Sequence, residues 1–154
     1  MKTETMFSSA TGDWATQQEF FDMLDEIFHF TLDPCADEKN HKCEKYFTKE
    51  QNGLEQSWNG ETVFCNPPYG RDIGLWIQKS IDEVRKGATV VLLIHARTDT
   101  KWFHELVFPN ASVWFVKGRL KFGGSGNSAP FPSMVAVMTK ETLETPEHRM
   151  VGLI

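Results

Sequence analysis

The chain has 154 residues, 40% of them hydrophobic, and a formal net charge of −5. This is one domain of ordinary size, 1–154, with core enough to fold alone. No apolar run approaches the ~20 residues that cross a bilayer, the start lacks a secretory signal pattern, and three cysteines are too few for a disulfide scaffold, which points to a reducing cytoplasm.

Residues 1–13 read as a loose start. Thr16-Gln17-Gln18-Glu19 has the form of a capping box, and Phe20, Leu24, Ile27 and Phe28 then recur at helical spacing, so a helix is expected over 17–28. Phe30-Thr31-Leu32 predicts a short strand ending at Asp33-Pro34, Tyr46-Phe47-Thr48 a brief one, and Thr62 to Cys65 a third. Leu75, Trp76, Ile77, Ile81 and Val84 mark a helix over 73–86, which Gly87 ends. Ala88 to Ile94 is continuously apolar and β-branched, as in a central parallel strand buried on both faces. Trp102, Phe103, Leu106 and Val107 make a short helix stopped at Pro109-Asn110. Val113 to Val116 and Met134 to Met138 are strands, separated by a Gly- and Pro-rich loop over 123–132.

Strands alternating with helices predict an α/β domain with a mostly parallel sheet covered on both faces. The last two strands have no helix between them and are expected to pair antiparallel. Residues 140–154 match no readable pattern.

Charge is unevenly spread. Residues 1–70 carry 5 basic and 13 acidic groups, whereas residues 71–121 carry 9 basic and 5 acidic. Such polarity can turn one basic face to a phosphate backbone although the whole chain is acidic. A chance fluctuation of a solvated surface is the competing reading.

The most informative stretch is Asn66-Pro67-Pro68-Tyr69, followed by Gly70. It lies at the end of a predicted strand, where open α/β sheets bind ligands. The exocyclic amine of adenine is a poor nucleophile because its lone pair is delocalised into the ring. An Asn66 side-chain oxygen and a Pro67 carbonyl can accept its two protons and turn the lone pair toward a methyl donor. The prolines fix φ and bias Asn66 to extended backbone, so the acceptors are set before the base arrives. Tyr69 can stack on the base, worth roughly 1–3 kcal/mol.

Asn66 to Tyr69 matches the catalytic motif of S-adenosylmethionine-dependent amino-methyltransferases. Together with Trp14-Ala15-Thr16, Leu32-Asp33-Pro34-Cys35-Ala36, Asn52-Gly53-Leu54 with Trp58, and Gly118-Arg119-Leu120-Lys121-Phe122, the chain resembles the phage-type Dam family of DNA N6-adenine methyltransferases. The resemblance covers roughly residues 13–138, in the family's order. It implies a single three-layer Rossmann-like domain with a terminal antiparallel strand; the stretch between Ala36 and Thr62 is short for two full strand-helix units, so the domain is read as abbreviated between the first and fourth strands, a departure from related folds. It also implies S-adenosylmethionine as cofactor and double-stranded DNA as partner, in the cytoplasm of a bacterial host of a phage or prophage. The family's usual association is with GATC.

By the same resemblance, Asp33, Pro34, Cys35 and Ala36 sit where the donor's methionine part binds, and Trp14 and Thr16 close that pocket. Asp33 can also be read as a turn cap and Thr16 as a helix cap. Glu50 is the candidate for the ribose hydroxyls. The family pattern often has proline where this chain has Gln17. A sulfonium methyl needs no metal, and Cys35, His41 and Cys43 fit no standard zinc spacing.

An adenine within a duplex must be rotated out of the stack to be reached. Phe122 and Phe131 are candidates for a stacking surface opposite Tyr69, and each can equally be core. Arg71, Arg97, Lys101, Lys117, Arg119 and Lys121 are candidates for phosphate contacts. His95 is read as structural or adjacent to substrate rather than as a base. Two alternatives remain at this stage: the same chemistry on RNA or on a protein glutamine amide, and a non-catalytic binding module of the same fold.

Overall fold

The computed structural model describes residues 16–121 and 129–154. Trp14 and Phe122 lie outside the described residues.

Helix α1, Gln18–Phe28, buries Phe21 and Leu24. It ends at His29, whose left-handed φ of 56° lets its N–H reach Asp25 O, while the Asp25 carboxylate accepts the Phe30 N–H at 2.8 Å. The expected capping box does not form: Gln17 is the N-cap, with no side-chain cap hydrogen bond. The Thr16 hydroxyl goes elsewhere, as described below.

The expected strands at 30–32 and 46–48 shrink to isolated parallel bridges, Leu32 with Val63 and Asp33 with Tyr46. The first of these rungs lies beside β1, Thr62–Cys65, and the second one segment further out. Between Pro34 and Glu61 the only helical element among the described residues is a single 3-10 turn, Gly53–Glu55, so this part of the domain is abbreviated. Helix α2, Ile73–Arg85, leads through Gly87 (φ 117°) into β2, Thr89–His95. A π-helical turn, Phe103–Val107, precedes β3, Ser112–Phe115. Then come β4, Ser133–Met138, α3, Lys140–Glu144, and β5, Val151–Leu153.

The five strands form one mixed sheet in the order β1-β2-β4-β3-β5. β1 and β2 are parallel, β4 is antiparallel to both β2 and β3, and β5 is parallel to β3. Four strands therefore run one way, with β4 opposed to them. The expected antiparallel pairing of the last two predicted strands is present, but β4 lies inside the sheet rather than at its edge. Residues 140–154, unreadable beforehand, supply the outer strand. Thr139 and Thr142 cap α3 reciprocally, and the Thr142 hydroxyl donates to Asn110 O at 2.7 Å.

Alternation along the strands sends side chains to two cores. Val63, Cys65, Val90, Leu92 and Ile94 pack with Ile77, Ile81 and Val84 of α2. Phe64, Val91, Leu93, Val135 and Val137 pack with Phe21 and Leu24 of α1. Helices thus cover both faces.

Strand direction decides what meets at the site. The carboxyl ends of β1, β2 and β3 lie on one edge of the sheet, together with the segment after Leu32, which runs parallel to β1. Because β4 is reversed, the residues that precede it, including Phe131, arrive at that same edge.

Candidate active site

Asn66 leaves the end of β1 with its amide held on both sides. Its Nδ2 donates to Thr16 Oγ1 at 3.1 Å. Its Oδ1 accepts from the Tyr69 hydroxyl at 3.3 Å. Thr16 is 5% exposed, so the first contact is shielded from competing water. Pro67 is buried and Pro68 exposed. Burial pushes the Tyr69 phenol pKa well above its ordinary value, so the hydroxyl stays protonated and available as a donor.

Among the described residues two cavities flank this turn, and Tyr69 belongs to the wall of each. The first, of about 310 Å³, lies between the Pro34–Ala36 loop, the 48–53 segment, Asn66 to Tyr69, and the start of α2. That volume is within the range of small-molecule sites. Its floor is built by the Asn-Gly-Leu segment. Asn52, at a φ of 55° that asparagine tolerates better than most residues, accepts the Leu54 N–H on its side chain. A Cβ on Gly53 would lie 2.4 Å from Pro34 O and 3.1 Å from the Trp76 ring. Trp58 stacks on Trp76 at 6.3 Å, donates its indole N–H to Gly53 O, and gives its backbone N–H to Glu83. Burial opposes ionisation of Glu83, but the Trp58 N–H and the Lys79 and Lys86 ammonium groups outweigh it and hold its pKa below the carboxylate norm.

Pro34, Cys35 and Ala36 line this cavity. Asp33 stands behind them, 5% exposed. Its two oxygens accept the Cys35 and Lys42 backbone N–H groups at 3.2 and 2.8 Å. The turn-cap geometry read as an alternative is therefore present. Desolvation raises the Asp33 pKa against the pull of those two N–H groups. Glu50 is exposed and is not among the cavity residues; the turn presents Thr48, Lys49 and Asn52 instead. Asp72, the N-cap of α2, and Trp76, four residues on in its first turn, complete the lining. That i, i+4 pair directly after the diproline turn was the signal that could have found them. The Cys35 and Cys65 sulfurs lie 3.8 Å apart as free thiols, and burial drives the Cys35 pKa up, away from nucleophile behaviour. Among the described residues no group of three or more His, Cys, Asp or Glu is placed to hold a metal, and His41 stacks on Tyr46 at 3.9 Å.

The second cavity, of about 280 Å³, is lined by Tyr69, Gly70, Ile73, His95, Arg97, Trp102 and Phe131. Phe131 meets Tyr69 edge-on, at 5.0 Å and 68°, and is 4% exposed. It is a wall of the cavity rather than a parallel partner for Tyr69. Arg71, Arg97, Lys101, Lys117, Arg119 and Lys121 are all exposed, and they follow the carboxyl ends of β1, β2 and β3 on the cavity edge. Arg119 also donates to Ala129 O at 3.3 Å. No helix among the described residues is long and apolar enough to cross a membrane.

Residues 3–149 match the family described as DNA N-6-adenine-methyltransferase (Dam). The chain is 34% identical over 113 residues to a DNA N-6-adenine-methyltransferase of Haemophilus phage HP1, covering 71% of this chain and 65% of that protein. It is 28% identical over 131 residues to a DNA N-6-adenine-methyltransferase of Escherichia phage T1, covering 84% of this chain and 55% of that one. It thus spans somewhat less than two thirds of the first relative's length and just over half of the second's.

Proposed function

The chain belongs to the DNA N-6-adenine-methyltransferase (Dam) family, and from that premise we propose that it methylates the exocyclic amine of adenine in double-stranded DNA, with S-adenosylmethionine as donor, in the cytoplasm of a bacterial host. The fold then works as a Rossmann-like methyltransferase domain. The observation that supports this reading best is the Asn66 amide, clamped by Thr16 with its oxygen turned to Tyr69, the residue shared by both cavities.

The first cavity suits the donor. Gly53 carries no Cβ where one would strike Pro34 O, and the lining combines a flat Trp76 with Thr48, Asn52 and Asp72 as polar partners. When bound, the donor supplies a sulfonium methyl as electrophile. Thr16 fixes the orientation of Asn66. The Asn66 oxygen exchanges the Tyr69 hydroxyl for one amine proton of the base, and the Pro67 carbonyl takes the other. Tyr69 packs on the base, which is rotated out of the duplex into the second cavity. The excess proton leaves the nitrogen after transfer, when it is strongly acidic. The basic residues along the same edge hold the flanking phosphates.

Incubation with donor carrying a tritiated methyl group tests the reading. Label is expected in DNA as N6-methyladenine, with GATC as the first sequence to try. Label found only in RNA or protein, or no transfer to DNA of varied sequence, overturns it.

A further inference from the structure

His95 closes β2 opposite Ser133 of β4. It is 9% exposed and lines the second cavity. Three aromatic rings surround its imidazole: Tyr69 at 5.1 Å, Trp102 at 5.3 Å and Phe131 at 5.6 Å. Such packing holds the ring in one orientation. Yet among the described residues neither imidazole nitrogen has a hydrogen-bond partner. Among the described residues the Ser133 hydroxyl, across the strand pair, is buried and has no hydrogen-bond partner. A buried hydroxyl without a partner is costly, and the imidazole beside it stands on the wall of an apolar cavity, open to a ligand. Burial, and secondarily the nearby Arg97 charge, lower the His95 pKa to about 4. At neutral pH the ring is therefore uncharged and offers one N–H donor and one lone pair.

Resting on the adenine reading above, we propose that His95 recognises the target base, donating its imidazole N–H to a ring nitrogen beside the exocyclic amine. Adenine has two such nitrogens, at ring positions 1 and 7, and both are acceptors. The amine itself is assigned to Asn66 and Pro67, so His95 would supply a contact to the ring of the base that those residues do not. A guanine or thymine in the same pose carries a carbonyl where Asn66 and Pro67 need donors. His95 thus adds a second requirement, an acceptor nitrogen on the ring.

The experiment places adenine, 1-deazaadenine or 7-deazaadenine at the methylated position of a duplex and measures kcat/KM. The wild-type enzyme is expected to lose about tenfold on one analogue, the one lacking the contacted nitrogen. His95→Phe keeps the aromatic packing without a donor. It should lose a similar factor on adenine and show no further loss on that analogue. His95→Gln, which restores a donor, should recover part of the activity. Equal use of both analogues and adenine by the wild-type enzyme overturns the proposal without any variant, and so does discrimination that persists in His95→Phe. If the wild-type enzyme transfers no methyl to adenine at all, the underlying reading of the function fails, and this inference with it.

Discussion

Thr16 Oγ1 accepts the Asn66 side-chain amide at 3.1 Å, joining residues 50 positions apart. An asparagine amide presents an acceptor on one side and a donor on the other, and a half-turn about its last bond exchanges them. The Thr16 contact holds the donor side, so the oxygen is committed toward the Tyr69 hydroxyl, which donates to it at 3.3 Å.

Removing the Thr16 hydroxyl should therefore act on chemistry more than on donor binding. Thr16→Val is expected to lower the single-turnover rate by about tenfold, the worth of one shielded hydrogen bond. Thr16→Ser should stay near wild type. Equal rates for the two variants would remove Thr16 from this role.

Asn66→Ala deletes the acceptor itself. The transfer rate should fall by about two to three orders of magnitude, as for loss of one pre-set catalytic hydrogen-bonding group. Donor affinity measured by calorimetry should change little. Activity within a few-fold of wild type would show that another group accepts the amine protons.

Gly53→Ala probes the floor of the first cavity. The added methyl would fall 2.4 Å from Pro34 O, and backbone must shift to admit it. Donor binding should weaken by about tenfold or more, the scale of overpacking strain, while DNA binding in the absence of donor stays unchanged. Unaltered donor affinity would show that Pro34 and the donor do not share this wall.

The imidazole of His95 makes stability depend on pH. Its pKa is lowered to about 4 in the folded protein, against an unfolded value of about 6.5. The unfolded chain thus binds the extra proton between these values, and stability must fall as pH drops through that window. His95→Phe lacks this loss, and all other groups titrate in both proteins. Denaturant titrations at pH 7 and pH 4.5 should show the wild type losing on the order of 2 kcal/mol relative to the variant. A stability difference that does not move with pH would mean that His95 has the same pKa in the folded and unfolded chain.

Arg97 is exposed at the second cavity, directly beyond β2. Arg97→Ala should reduce the slope of log affinity against log salt by about 1 and weaken binding similarly on different DNA sequences. An unchanged slope would take Arg97 off the phosphate path.

Features that depend on neighbours along the chain were legible before any fold was known. The run from Val90 to Ile94 is buried on both faces because every residue in it is apolar, and β2 spans Thr89–His95. Helix α2 follows from its apolar spacing. The turn from Asn66 to Tyr69 is stiff because two prolines make it so. Features that need a distant partner were misread or missed. Along the chain Thr16 offers two readings, closure of the donor pocket or a helix cap toward Glu19, and neither names Asn66 as its partner. Glu50 was named where Thr48, Lys49 and Asn52 line the cavity, because one turn's rotation decides which side chain faces inward. The 140–154 segment is too short and polar to announce a strand, and β5 exists only because β3 offers it an edge.

The residues by themselves determined the local chemistry: an acceptor amide, rigid carbonyls and an aromatic ring at a strand end. Only the tertiary structure decided that Thr16, His95 and Phe131 join them. The reversed strand β4 carries Phe131 to the edge where β1 and β2 end, and strand direction is a property of the assembled sheet, set by non-local hydrogen bonding that no short stretch of sequence contains.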